Sequence, residues 1–343
     1  MDIKKYFAMA IEAGASDVHL VGGELPMMRV AGQLKELSDK KIDNKELEEA
    51  VMAILIKEKK EIFAQVKDVD FAYVLANARF RVNLHEQDDK IGLAARTIPE
   101  DIPTPDDLRL EPAIRNVANL LDGLVLITGP TGSGKSTTIA SIIEEINKSK
   151  KTHIITVEDP IEFAFKDKMS LIEQREVGRD TNSFADALKY ALRQDPNVIF
   201  IGEMRDPETI STALTAAETG HLVLSTLHTP TAAEAVERIV DVFEGPKQKQ
   251  ILIQLSSVLR MVVAQQLVVT TDGRQVAARE ILVNTSAVAN LVRENNINQI
   301  KSMIQTGAKD GMVTMENSIK ELFKDGLIDQ ETADKRSGRH RES

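Results

Sequence analysis

Nine consecutive residues, Gly129, Pro130, Thr131, Gly132, Ser133, Gly134, Lys135, Ser136 and Thr137, fit the pattern G-x-x-x-x-G-K-[ST]. Each residue type has a task in holding a triphosphate. The glycines let the backbone turn so that successive N–H groups point inward at phosphate oxygens. Lys135 can reach the β and γ phosphates, and the Ser136 hydroxyl can ligate magnesium. The motif follows the apolar run LVLIT and opens a helical pattern at Gly134, which is the strand-to-helix setting it requires. ATP and Mg2+ are the cofactors this implies.

Hydrolysis at such a site also needs carboxylates. The stretch DPNVIFIGEMRD, residues 195–206, reads as a buried strand whose exit residue lies beside the phosphates, because ligands of an open parallel sheet sit at the carboxyl ends of its strands. The position that usually carries an aspartate is Gly202. Glu203 must therefore serve as metal partner, as the group that orients the attacking water, or as both. A second acid is available after the preceding strand, THIITV, among Glu158, Asp159 and Glu162. A further strand, HLVLSTLHT, brings Ser225, Thr226 and His228 to the same edge, where His228 can sense the γ-phosphate or relay its loss. His221 starts that strand and reads as a packing or hydrogen-bonding residue.

The elements that must position these groups alternate along the chain after residue 112. Apolar strands (LVLIT, THIITV, NVIFIG, HLVLST) are separated by helical segments from Gly134, near 183–193 and near 207–218, which predicts a parallel sheet covered on both faces, an α/β domain. QLVVT and VAAREILV flank Asp272-Gly273, a hairpin signal, and everything after Ser286 reads helical. Upstream, the first hundred residues mix an opening helix at 2–13, alternating stretches at 17–21 and 27–30, a helix near 44–64, and the period-two runs DFAYVL and ARFRVNLHEQ. That is a small α+β domain, residues 1–98. Prolines 99, 103, 105 and 112 mark a stiff linker over 99–112, and 113–343 forms the second domain. The closing KRSGRHRES reads as a frayed, solvated tail.

Composition narrows the function classes. At 343 residues two domains are the natural expectation, and 42% hydrophobic with 28% charged residues suits a globular protein. No apolar run approaches the roughly 18 residues that span a bilayer, and the apolar stretch after MDIKKYFAMA is broken by Glu12 and Gly14, a poor signal peptide. A cytoplasmic location is expected. Zero cysteines exclude disulfide frameworks and Cys-ligated zinc, and a net charge of −10 argues against a general nucleic-acid surface.

Together these residues resemble the secretion ATPases of the type II and type IV pilus class, most closely the PilT-type retraction ATPases. The resemblance runs nearly end to end, through ASDVHL, RFRVN, GPTGSGKST, TVEDPIEF, the block from QREVGRD to LSTLHT, and NLVRENNINQI. In that family the acid-bearing strand likewise has glycine before its glutamate. The resemblance implies a PAS-like N-terminal domain joined to a RecA-like P-loop ATPase domain, assembled as a ring of six. It places Glu203 on the catalytic glutamate, Glu158 and Glu162 on Asp-box acids, and His228 on the His-box histidine. Arg81 and Arg96 fall on N-domain arginines that reach a nucleotide across domains or subunits, a task suited to planar guanidinium forks. Asn290, Leu291, Arg293 and Glu294 match a C-terminal element of retraction ATPases, with Val292 a mild change. The bland reading of that element is an amphipathic helix packed on the ATPase core. LHEQDDKIGLAAR departs from the family, with acids and a lysine where members are commonly polar and small.

The implied function is an ATP-hydrolysing hexameric motor for type IV pilus retraction and twitching motility, at the cytoplasmic face of the inner membrane. Its implied partners are a membrane platform protein and a paralogous pilus ATPase. Assembly ATPases of the class typically carry a tetracysteine zinc module and a longer N-terminal region, and neither is expected here. The alternatives are an accessory retraction ATPase, a RecA-like nucleic-acid translocase, and a scaffold that nucleotide merely locks.

Overall fold

The computed structural model describes residues 1–337 except 31, 77, 99 and 100, so Pro99 and most of the basic tail lie outside the described residues. The chain divides into two units: 1–101 with 162–164, and 102–161 with 165–343.

The first unit contains α1 (Ile3–Glu12), β1 (Asp17–Val21), β2 (Met27–Val30), β3 (Gln33–Glu36), α2 (Asn44–Ile54), α3 (Lys57–Val66), β4 (Asp68–Leu75), β5 (Ala78–Gln87) and β6 (Lys90–Ile98). Its six strands are all antiparallel, in the order β3-β2-β1-β6-β5-β4. Period-two alternation decides which way each side chain faces. On β5, Phe80, Val82 and Leu84 are buried while Arg81 is exposed. Asp2 caps α1 by accepting from the Lys4 N–H at 3.1 Å, and Ile3, Phe7 and Ala10 give that helix one buried stripe. The single helix expected near 44–64 is two. Leu55 and Ile56 take extended ψ values of 137° and 161°, and this break lets Leu55 and Phe63 enter the same core.

The second unit contains α4 (Pro112–Arg115), β7 (Gly123–Thr128), α5 (Lys135–Ser149), β8 (His153–Glu158), β9 (Leu171–Glu176), α6 (Phe184–Ala191), β10 (Val198–Ile201), α7 (Pro207–Glu218), β11 (Leu222–Leu227), α8 (Ala232–Asp241), α9 (Pro246–Val258), β12 (Leu259–Val269), β13 (Gln275–Val283), α10 (Ser286–Arg293), α11 (Ile300–Thr306), α12 (Met315–Lys324) and α13 (Gln330–Ser337). The sheet order is β13-β12-β7-β11-β10-β8-β9, parallel except for the β12–β13 hairpin. Both faces are covered, which is why the strands are apolar at nearly every position. Leu124 and Leu126 pack into the core with α7 and α9, while Val125 and Ile127 pack against α5 on the other face. Registers Thr128↔Leu227, Ser225↔Ile201 and Ile201↔Val157 align the strand ends, so that whatever leaves β7, β11, β10 and β8 emerges along one edge. In α10, Val292 is buried in the core while Asn290, Arg293 and Glu294 are exposed, so this helix packs on the sheet domain by an amphipathic face.

Candidate active site

The loop from Gly129 to Gly134 joins β7 to α5 in a conformation that only glycine allows at three points. Gly129, Gly132 and Gly134 have φ of 143°, 79° and 82°. At Gly129 space is also limiting, since a Cβ there would lie 2.2 Å from the Gln265 carbonyl oxygen and 2.7 Å from Ser133 Oγ. Lys135 is buried, and its Nζ donates to the carbonyls of Gly129 at 2.8 Å and Pro130 at 3.0 Å. Ser133 Oγ is buried with no hydrogen-bond partner. A buried ammonium beside an unspent hydroxyl in a glycine cradle fits an anionic phosphate chain. Pro130 and Thr131 form the exposed rim, and Ser136 and Thr137 are half-buried in the first turn of α5. Among the described residues no group of three or more His, Asp or Glu side chains gathers as a metal site. Ser136 and Glu203 are the residues that could hold magnesium beside phosphate oxygens, the usual arrangement for that ion.

Glu203 follows β10 and is half-buried. Its Oε2 meets Arg205 at 2.8 Å and His228 Nε2 at 3.5 Å. The structure therefore joins two residues named from sequence, Glu203 and His228, across neighbouring strand ends. Ser225 and Thr226 are spent on the β10 strand, donating to the carbonyls of Ile201 at 2.8 Å and Gly202 at 2.5 Å. Glu158, the last residue of β8, is buried and accepts from Thr156 Oγ1 at 2.7 Å and Gln174 Nε2 at 3.2 Å. Glu162 is exposed and falls in the three-residue segment that divides with the first unit. His221 caps its own turn, its Nδ1 lying 2.9 Å from the Ala216 carbonyl.

Arg81 and Arg96 belong to the first unit, directly opposite one another on β5 and β6. Both are exposed. Arg96 Nε pairs with Asp17 at 2.9 Å, and Asp17 also meets Arg29 at 3.9 Å, so one charged row crosses four strands. Burial opposes ionisation of Asp17, but hydrogen bonds from Ser16 and Arg96 together with the guanidinium charge outweigh it and hold the carboxyl below the usual aspartate range.

Three residues at the site escaped sequence reading. Arg205 sits two places beyond Glu203 and gave no periodic signal. Gln265 and Arg279 stand in register on β12 and β13 and are 2% exposed each. Their signal was present: polar residues set among apolar ones in two facing strands, each seven places from Asp272.

The family model for "Type II/IV secretion system protein" matches residues 107–336. The type IV pilus retraction ATPase PilT of Pseudomonas aeruginosa is 43% identical over 97% of both chains. A twitching motility protein of Neisseria gonorrhoeae is 46% identical over 91% of this chain and 84% of its own. The crystal structure of the pilus retraction motor PilT with bound ADP superposes with a TM-score of 0.91 at 44% identity, covering 98% of this chain and 97% of that one. That match includes a small N-terminal domain followed by a parallel-sheet ATPase domain.

Proposed function

Because the chain belongs to the type II/IV secretion system family and is an ATPase of its pilus-retraction branch, we propose that it hydrolyses ATP at the loop 129–137 and works as a homo-hexameric ring retracting a type IV pilus. The observation that supports this best is the convergence at one sheet edge. Lys135 follows β7, Glu158 ends β8, Glu203 follows β10, and His228 follows β11 within 3.5 Å of Glu203.

Magnesium, held by Ser136 and Glu203, would neutralise phosphate charge and polarise the phosphoryl oxygens. The protein's own groups do the rest by position, since phosphoryl transfer asks little covalent chemistry of them. Lys135 leaves the Gly129 and Pro130 carbonyls for phosphate oxygens. Backbone N–H groups of the loop hold the remaining phosphates. Glu203 accepts a hydrogen bond from the attacking water and orients it, while His228 holds the carboxylate in place. Glu158, and Glu162 from its separate segment, add negative charge that favours a cation at the phosphates. Arg81 and Arg96 offer guanidinium groups to a nucleotide across a domain or subunit boundary, with Arg96 exchanging Asp17 for phosphate. Completion of the site by the N-terminal unit makes hydrolysis depend on closure, and loss of the γ-phosphate releases it.

Among the described residues no helix is long and apolar enough to cross a membrane. In this reading the ring acts from the cytoplasmic face on an inner-membrane platform protein, alongside a paralogous pilus ATPase, and without nucleic acid. Steady-state hydrolysis by Glu203→Gln and Arg96→Ala tests it. Glu203→Gln is expected to keep ATP binding and lose roughly 10²- to 10⁴-fold in turnover, and Arg96→Ala to lose turnover only where rings form. Near-normal turnover in both variants sinks the mechanism.

A further inference from the structure

Arg279 is the largest fully buried side chain among the described residues. Its donors are spent in three directions. Nε donates to Gln265 Oε1 at 3.0 Å, one terminal nitrogen to the Arg109 carbonyl at 3.3 Å and Glu111 Oε2 at 3.2 Å, and the other to the Leu108 carbonyl at 3.0 Å. Gln265 continues the line. Its Nε2 donates to the Ser133 carbonyl in the phosphate loop at 2.6 Å, and its Oε1 also accepts from Thr138 Oγ1 at 2.9 Å. A continuous path therefore runs from the loop, through two buried side chains, to residues 108–111, the segment that carries the chain onward from the first unit.

Packing alone does not require these residues. An apolar pair of similar volume would fill β12 and β13 without the desolvation cost of a buried guanidinium. Polar side chains are needed where a backbone must be held in one place, and both ends of this path hold backbone carbonyls. Oε1 of Gln265 is shared by two donors, so a shift of the loop or of α5 is felt at the guanidinium.

We propose that Gln265 and Arg279 are positioning residues for ATP hydrolysis, a relay that fixes the Ser133 carbonyl of the phosphate loop and couples it to the segment Leu108–Glu111. This rests on the loop being the ATP site. When phosphate fills the cradle, the Gln265 contact tightens, and the carbonyls of Leu108 and Arg109 are clamped with it. The amides of Arg109 and Leu110, which close a turn onto the Asp106 and Pro105 carbonyls, become harder to open.

Hydrogen exchange on the full chain, with and without adenylyl-imidodiphosphate and magnesium, reads this directly. In the wild type, exchange over 106–112 is expected to slow on binding. Gln265→Glu keeps the Oε1 acceptor for Thr138 and Arg279 and pairs with Arg279, but cannot donate to Ser133. It is expected to melt near the wild type, to bind nucleotide about tenfold more weakly, and to lose the slowing when saturated. Arg279→Met is expected to stay within about threefold of wild-type affinity and also to lose it; should it fail to fold, Gln265→Glu decides alone. Slowing retained in saturated Gln265→Glu, or a saturated wild type whose segment exchanges unchanged, overturns the relay. A wild type that does not bind the nucleotide overturns the loop reading beneath it instead.

Discussion

Replacing Gly129 by alanine puts the steric account of the phosphate loop under direct test. The new Cβ would start 2.2 Å from the Gln265 carbonyl oxygen, a backbone atom of β12 that cannot swing aside as a side-chain end can. Real Cβ atoms do not approach closer than 3.0 Å, so the loop must retreat by the better part of an ångström. It must do so from φ 143°, where alanine is itself strained by about 1–3 kcal/mol. Retreat also stretches the 2.6 Å bond from Gln265 Nε2 to the Ser133 carbonyl, worth about 1 kcal/mol. The total, about 2–4 kcal/mol, corresponds to roughly 30- to 1000-fold in nucleotide affinity if the displaced loop is the one that must bind. Whatever share of that sum the unliganded fold already bears lowers the melting temperature instead, by about 2–4 °C per kcal/mol. Titration of a fluorescent ADP analogue and a thermal melt measure both. Gly132→Ala is the control, because its Cβ meets nothing within 4 Å and only the strain of φ 79° remains. It is expected to bind within about tenfold of wild type. Equal losses in the two variants, or wild-type binding by Gly129→Ala, refute the argument.

Two further outcomes follow from the ion pairs and from burial. Arg205→Ala removes an exposed partner of Glu203, so stability should hold within about 1 kcal/mol and kcat should fall at most about fivefold with KM unchanged; a hundredfold fall would mean that Arg205 acts on the nucleotide itself. Burial raises the Glu280 carboxyl above the usual glutamate range, against the lowering pull of the Ala232 N–H bond and Lys301. The stability this group contributes is therefore full below the unfolded glutamate range and lost as pH rises through the raised value. Glu280→Gln, which keeps the acceptor for Ala232 N–H, should melt higher than wild type at neutral pH, with the gain vanishing in acid.

Much of the site was legible because its chemistry sits at strand ends and the strands announce themselves. Four apolar runs, separated by three helical patterns, are enough to expect residues 129–137, 158, 203 and 228 at one edge without any structure. β9 stayed hidden because LIEQRE lies at the sheet edge with three of its six residues charged, so neither alternation nor apolarity marks it. The α2–α3 break was equally silent, since Leu55 and Ile56 are both fair helix formers and only the core that Leu55 enters breaks the helix. The Gln265–Arg279 pair needed register, which a sequence supplies only once the hairpin turn at Asp272-Gly273 is fixed. Glu162 shows the opposite limit. It stands four residues from Glu158 in a stretch that reads as one acidic motif, yet the chain passes into the other unit between them.

Gly202 can now be understood from its neighbours. Space does not demand glycine there, because a Cβ would meet the Glu158 Cα and Val157 carbonyl oxygen at an ordinary 3.4 Å and Phe184 at 3.5 Å. What those contacts fix is direction: a side chain at 202 points toward β8, where Glu158 is already buried. An aspartate would set a second carboxylate beside the first, and like charges so close cannot both stay ionised cheaply. Moving the acid one residue on, past the end of β10, releases it from that side. Glu203 then reaches across toward β11 and meets His228 and Arg205. Glycine before glutamate thus separates two acids, Glu158 bonded within the sheet and Glu203 at its rim.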